Sequence, residues 1–116
     1  MKRTERLYLT DILEAIERIE KYMQNITLAD FSRNIMVVDA VIRNFEIIGE
    51  ATKQISAKTK KENPQVQWRE MAGMRDKLAH EYFGVDTEIL WKTAKLRLPT
   101  LKPQVEELLR NTQGSN

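Results

Sequence analysis

The chain has 116 residues, a formal net charge of +2, four glycines, three prolines and no cysteine. That length makes one domain with a small core. The missing thiols exclude disulfides and thiolate metal sites, and the weak charge excludes a protein that holds nucleic acid by bulk field alone.

The apolar residues Leu9, Ile12, Ile16, Ile19 and Met23 recur at steps of three and four, which predicts an amphipathic helix over 4–24. Thr27, with Asp30 three residues on, predicts the cap of a short corner helix over 28–33. A long helix is then expected from Asn34. Ile35, Val38, Ile42, Phe45, Ile48 and Ile55 form one stripe and Val37, Val41 and Ile47 a second, so more than one side should be covered. Gly49 fits close helix packing. Arg43, Glu46 and Glu50 stand among these apolar positions, and Arg43 can pair with Glu46 three residues on. The three read either as an ion-pair network beside the core or as support for a functional segment further along. The spacing carries this helix through a lysine-rich end to Asn63-Pro64.

Trp68 is a bulky anchor for the following loop, and Gly73 is expected to separate a short turn from a helix carrying Arg75 and ending at Phe83. Asp86 is the expected cap of the last long element. Leu90, Ala94, Leu98, Leu101, Val105 and Leu108 form its stripe, and a kink or break is expected near Pro99. Residues 111–116 read as a disordered tail, leaving 1–110 as one domain. The whole is an all-α, up-and-down bundle of four main helices plus short ones. No run reaches the roughly 18 apolar residues of a membrane helix, and the N-terminus lacks the apolar core of a signal peptide. A cytoplasmic protein without membrane association is therefore expected.

Polar chemistry concentrates in Met74–Gly84, which holds the single histidine, His80. On an ideal helix Arg75 and His80 stand about 140° and about 7.5 Å apart. They meet if the arginine swings, if the helix ends before His80, or if two copies face each other across a two-fold axis. An imidazole that titrates near neutrality and a guanidinium that forks onto phosphate suit phosphodiester chemistry. The histidine would move a proton at the 2′-oxygen or the 5′-oxygen of RNA, and the arginine would hold the phosphate. Cleavage by the neighbouring hydroxyl needs no metal and spares DNA. One histidine with scattered carboxylates has no zinc-ligand spacing, so neither metal nor cofactor is expected. Asp76 can orient either partner, and Tyr82 lies on the Arg75 side of an ideal helix. A lone histidine near a helix end is also commonly structural, and a non-catalytic binding or regulatory dimer is the alternative.

Arg75-Asp76-Lys77-Leu78-Ala79-His80 resembles the signature of the HEPN superfamily, and Glu81-Tyr82 narrows the likeness to the HepT type. The stretches 43–51, 68–74 and 82–86 resemble that family's central helix, motif lead-in and motif exit. The resemblance implies an all-helical, HEPN-like homodimer that acts as a metal-independent endoribonuclease toxin of a toxin–antitoxin module, on RNA that is often tRNA. It makes Arg75 and His80 the catalytic pair and Asp76 their support. It also makes Tyr82 the target of a nucleotidyltransferase antitoxin, MntA, which uses ATP to place AMP on the tyrosine and silence the toxin.

Overall fold

In a computed structural model, residues 4–73 and 86–113 are described. Helix α1, Glu5–Met23, begins at Thr4, whose hydroxyl accepts the Leu7 N–H at 3.3 Å. All five stripe residues from Leu9 to Met23 are buried. Each fully buried aliphatic side chain contributes roughly 1.5–3 kcal/mol. The helix stops where Asn25 takes φ 57, a left-handed conformation that asparagine tolerates better than most residues. Thr27 then caps α2, Leu28–Arg33, by accepting the Asp30 N–H at 3.1 Å. Phe31 is wholly buried and fixes the corner.

Asn34 caps α3, Ile35–Lys53, by accepting the Val37 N–H at 3.1 Å. Val38, Val41, Phe45 and Ile48 are buried, as is Gly49. Ile35, expected to head the stripe, is instead 73% exposed. It sits in the first turn, before the helix meets its neighbours.

The expected continuation of this helix to residue 62 does not occur. Ser56 takes an extended conformation and caps a separate helix, α4, Ala57–Glu62, by accepting the Thr59 N–H at 3.1 Å. Glu5, in the first turn of α1, supports the same cap. Its carboxylate accepts the Ser56 backbone N–H at 2.6 Å and the Thr59 hydroxyl at 2.7 Å. Ile55 keeps the apolar spacing and is buried, but it belongs to the turn between the helices. α4 buries no residue of its own and is held by these polar contacts.

Residues 68–73 are helical, with Gly73 the last of them, and the separation expected after Gly73 lies outside the described residues. The expected helix over Arg75–Phe83 lies outside the described residues.

Asp86 caps α5, Thr87–Lys92, accepting the Glu88 and Ile89 N–H groups at 2.9 and 3.4 Å. A π-helical turn, Thr93–Arg97, leads directly into α6, Leu98–Gln113. The irregularity expected at Pro99 falls just before it. Proline has no N–H to donate, and its ring crowds the carbonyl four residues back, so widening the preceding turn lets the helix continue. α6 also runs to Gln113, three residues beyond the expected boundary at 110. The Thr112 hydroxyl donates to the Leu109 carbonyl at 2.9 Å there.

α1 packs against both α3 and α6, and α5 packs against α2. Two side chains from the C-terminal third clamp the corner after α1. The Trp91 indole donates to the Ile26 carbonyl at 3.3 Å and the Lys95 ammonium to the Met23 carbonyl at 2.7 Å. Lys102 pairs with Glu20 at 3.0 Å, and that carboxylate raises the lysine's pKa. The fold is all-α, with no strand among the described residues. No helix among them is long and apolar enough to cross a membrane.

Candidate catalytic segment and its supports

The segment expected to carry the chemistry is bracketed by two well-anchored stretches. On the entry side, Asn63 closes α4, its side chain donating to the Thr59 carbonyl at 2.9 Å. The Trp68 indole then donates to the Asn63 carbonyl at 2.9 Å while its ring is buried. Val66 and Met71 are buried beside it. The sequence places a large amphipathic ring where a polar turn must be pinned to an apolar core, and the indole satisfies both demands. On the exit side, the Asp86 cap fixes where the chain rejoins the bundle. Arg75, Asp76, His80 and Tyr82 lie between these anchors, outside the described residues.

The candidate supports on α3 are described. Arg43 and Glu46 form the expected pair, at 3.7 Å. The arginine side chain is 70% exposed, so this is a surface contact rather than part of a half-buried network. Exposed pairs at this spacing contribute a few tenths of a kcal/mol. Glu50 is also exposed. Two polar residues on this helix are buried: Thr52, whose hydroxyl donates to the Ile48 carbonyl at 2.6 Å, and Asn44, 5% exposed. The Asn44 amide nitrogen donates to the Ala40 carbonyl at 2.9 Å, and its buried Oδ1 has no hydrogen-bond partner among the described residues. In sequence Asn44 shows only as one of the polar residues set among the apolar positions of this helix, and nothing there marks it as buried. Among the described residues, no three His, Cys, Asp or Glu side chains converge in a way that could hold a metal ion.

A groove of about 250 Å3 opens between residues 65–71 and the junction of the π turn with α6. Its polar walls come from Gln65, Gln67, Arg97 and Gln104, none of which has a sequence signature of a site.

A family model described as ribonuclease HepT-like matches residues 12–108. A protein of Thermococcus cleftensis named "probable ribonuclease HepT" is 52% identical over 108 residues, covering 93% of this chain and 98% of the relative. A candidate RNase of Methanocaldococcus jannaschii is 38% identical over 115 residues, covering 99% of this chain and 95% of the relative. Another, from Caldanaerobacter subterraneus, is 41% identical over 108 residues, covering 93% and 96%. No solved structure matches at a significant level.

Proposed function

Because this chain belongs to the ribonuclease HepT-like family, we propose that it is an endoribonuclease whose catalytic pair is Arg75 and His80. The observation that carries the reading is the extent of the family match, 12–108, which spans the whole Arg75–Tyr82 signature and both of its anchors. The reaction is metal-independent transesterification. The RNA 2′-oxygen forms a bond to phosphorus while the bond to the 5′-oxygen breaks. The 2′-proton leaves to a base, the 5′-oxygen receives a proton, and the products are a 2′,3′-cyclic phosphate and a 5′-hydroxyl. His80 serves one of these proton transfers, and Arg75 neutralises the charge gathering on the phosphoryl oxygens.

Two copies of the chain complete one cleft, with Asp76 orienting the pair and the α3 residues Arg43, Glu46 and Glu50 around it. The activity serves as the toxin of a toxin–antitoxin module acting in the cytoplasm on RNA, with tRNA the favoured class. A nucleotidyltransferase antitoxin of the MntA kind silences it by AMP transfer from ATP to Tyr82, which sets anionic phosphate where the RNA phosphate must enter.

The test is cleavage of labelled RNA in EDTA by the full chain and by His80→Ala and Arg75→Ala. The expected result is a cyclic phosphate end and loss of cleavage in both variants. Cleavage of RNA with 2′-O-methyl at the cut position, or unchanged rates in both variants, overturns the assignment.

A further inference from the structure

We propose that the groove between residues 65–71 and the start of α6 binds one amine-bearing nucleobase of single-stranded RNA, adenine best. The proposal rests on the ribonuclease reading and names a feature of the substrate that reading leaves open.

The floor is apolar, formed by the buried side chains of Met71, Leu98 and Leu101. Leu96 stands on the rim and is 69% exposed, although a large aliphatic residue is normally drawn inside. It lies in the π turn Thr93–Arg97. Such turns recur where a helix must aim side chains at a ligand.

Two hydrogen bonds cross between the walls. Arg97 donates to the Gln67 side-chain oxygen at 3.0 Å, and the Gln104 amide donates to the Gln65 carbonyl at 3.3 Å. They preset the orientation of both amides. Gln67 keeps its NH2 group to donate, and Gln104 keeps its carbonyl to accept. A donor and an acceptor over an apolar floor match the edge and the face of a base. Glu70, also on the rim, can accept from an exocyclic amine.

Charge decides against a phosphate in the same place. The groove offers one guanidinium, already bonded to Gln67, and its lining includes the Glu70 carboxylate, which would repel the anion. Size points the same way. Pockets for drug-sized ligands run from about 300 Å3 upwards, and this groove is smaller, which suits a single ring system. The Gln67 donor suits the adenine ring nitrogen, and the Gln104 carbonyl and the Glu70 carboxylate suit its exocyclic amine. In sequence, Met71 stands only four residues before Arg75, so a base held here belongs to the stretch of RNA that includes the cleavage site.

The experiment measures binding apart from cleavage. Fluorescein-labelled ten-nucleotide oligo(A) and oligo(U) are titrated into the full-length His80→Ala chain and followed by anisotropy. The expected result is oligo(A) binding roughly tenfold tighter. Adding Gln67→Leu and Gln104→Leu should bring the ratio to about one, as should Thr100→Tyr, which fills the groove from its α6 wall. Circular dichroism checks that each variant is folded. Equal affinity for the two oligonucleotides, or a preference that survives both kinds of folded variant, overturns the proposal. So does a groove whose substitution abolishes binding of a protein partner and leaves RNA binding unchanged. Base preference without any cleavage by the unsubstituted chain sinks the nuclease reading alone, and cleavage without base preference sinks the groove alone.

Discussion

Glu5 and Ser56 are separated by 51 positions in sequence, yet the Glu5 carboxylate accepts the Ser56 backbone N–H at 2.6 Å. A side chain from the first turn of α1 thus caps α4, a helix that buries nothing. Partial burial pushes the Glu5 carboxyl up. The hydrogen bonds from Ser56 and Thr59 and the charge of Lys60 outweigh this and hold it below its ordinary value of 4.5. A carboxyl lowered on folding stabilises the fold above its unfolded pKa, and that contribution is lost as pH falls through the lower folded value. Glu5→Gln should therefore lower stability at pH 7 by about 1 kcal/mol. The gap between wild type and variant should close as pH falls below 4.5. Urea melts at several pH values check it.

Trp68 should divide into two separable contributions. Trp68→Phe keeps most of the buried ring and removes the donor to Asn63, at a cost of about 1 kcal/mol. Trp68→Ala empties the site and should cost about 3–5 kcal/mol. Denaturant midpoints give both values. Because Trp68 anchors the lead-in to the Arg75–His80 segment, the alanine variant should also lose cleavage at temperatures where it remains folded.

Asn44 holds a buried oxygen that finds no hydrogen-bond partner among the described residues. Replacing it with leucine, close in volume, removes that desolvation penalty and gives up one bond, to a carbonyl on its own helix. Asn44→Leu should raise stability by about 1 kcal/mol, read as a higher melting temperature. A large drop instead would mean that the amide supports the surrounding packing in a way its contacts do not reveal.

Tyr82→Phe separates the two roles that the proposed function places close together. It should leave RNA cleavage within about threefold of wild type while removing the hydroxyl proposed to accept AMP. Incubation with the nucleotidyltransferase and ATP should then silence the wild type and fail to silence the variant. Mass measurement of the intact chain reports whether AMP has been added.

Much of the architecture could be read from the chain because it is written locally. Thr27, Asn34 and Asp86 each cap the helix next to them, and the apolar spacing of α1 and α6 matches the buried residues. The end of α3 could not be read the same way. Ile55 continues the spacing and hides the break; Ser56 caps α4 locally, and the Glu5 carboxylate adds a contact across sequence that no local pattern encodes. Pro99 announced an irregularity but not its form, because widening the preceding turn and bending the helix relieve the same clash. The catalytic candidates stood out as a motif. The groove amides did not, since Gln65, Gln67 and Gln104 come together only through the packing of the π turn beside the loop after α4.

The clamps on the corner after α1 have a bearing on synthesis. Met23 and Ile26 receive their partners from Lys95 and Trp91, some seventy positions later. A nascent chain that has not yet released residues 91–95 from the ribosome lacks both donors, and the turn they secure is unfinished. A protein that would cut RNA is thus kept from its working shape while it is still being translated.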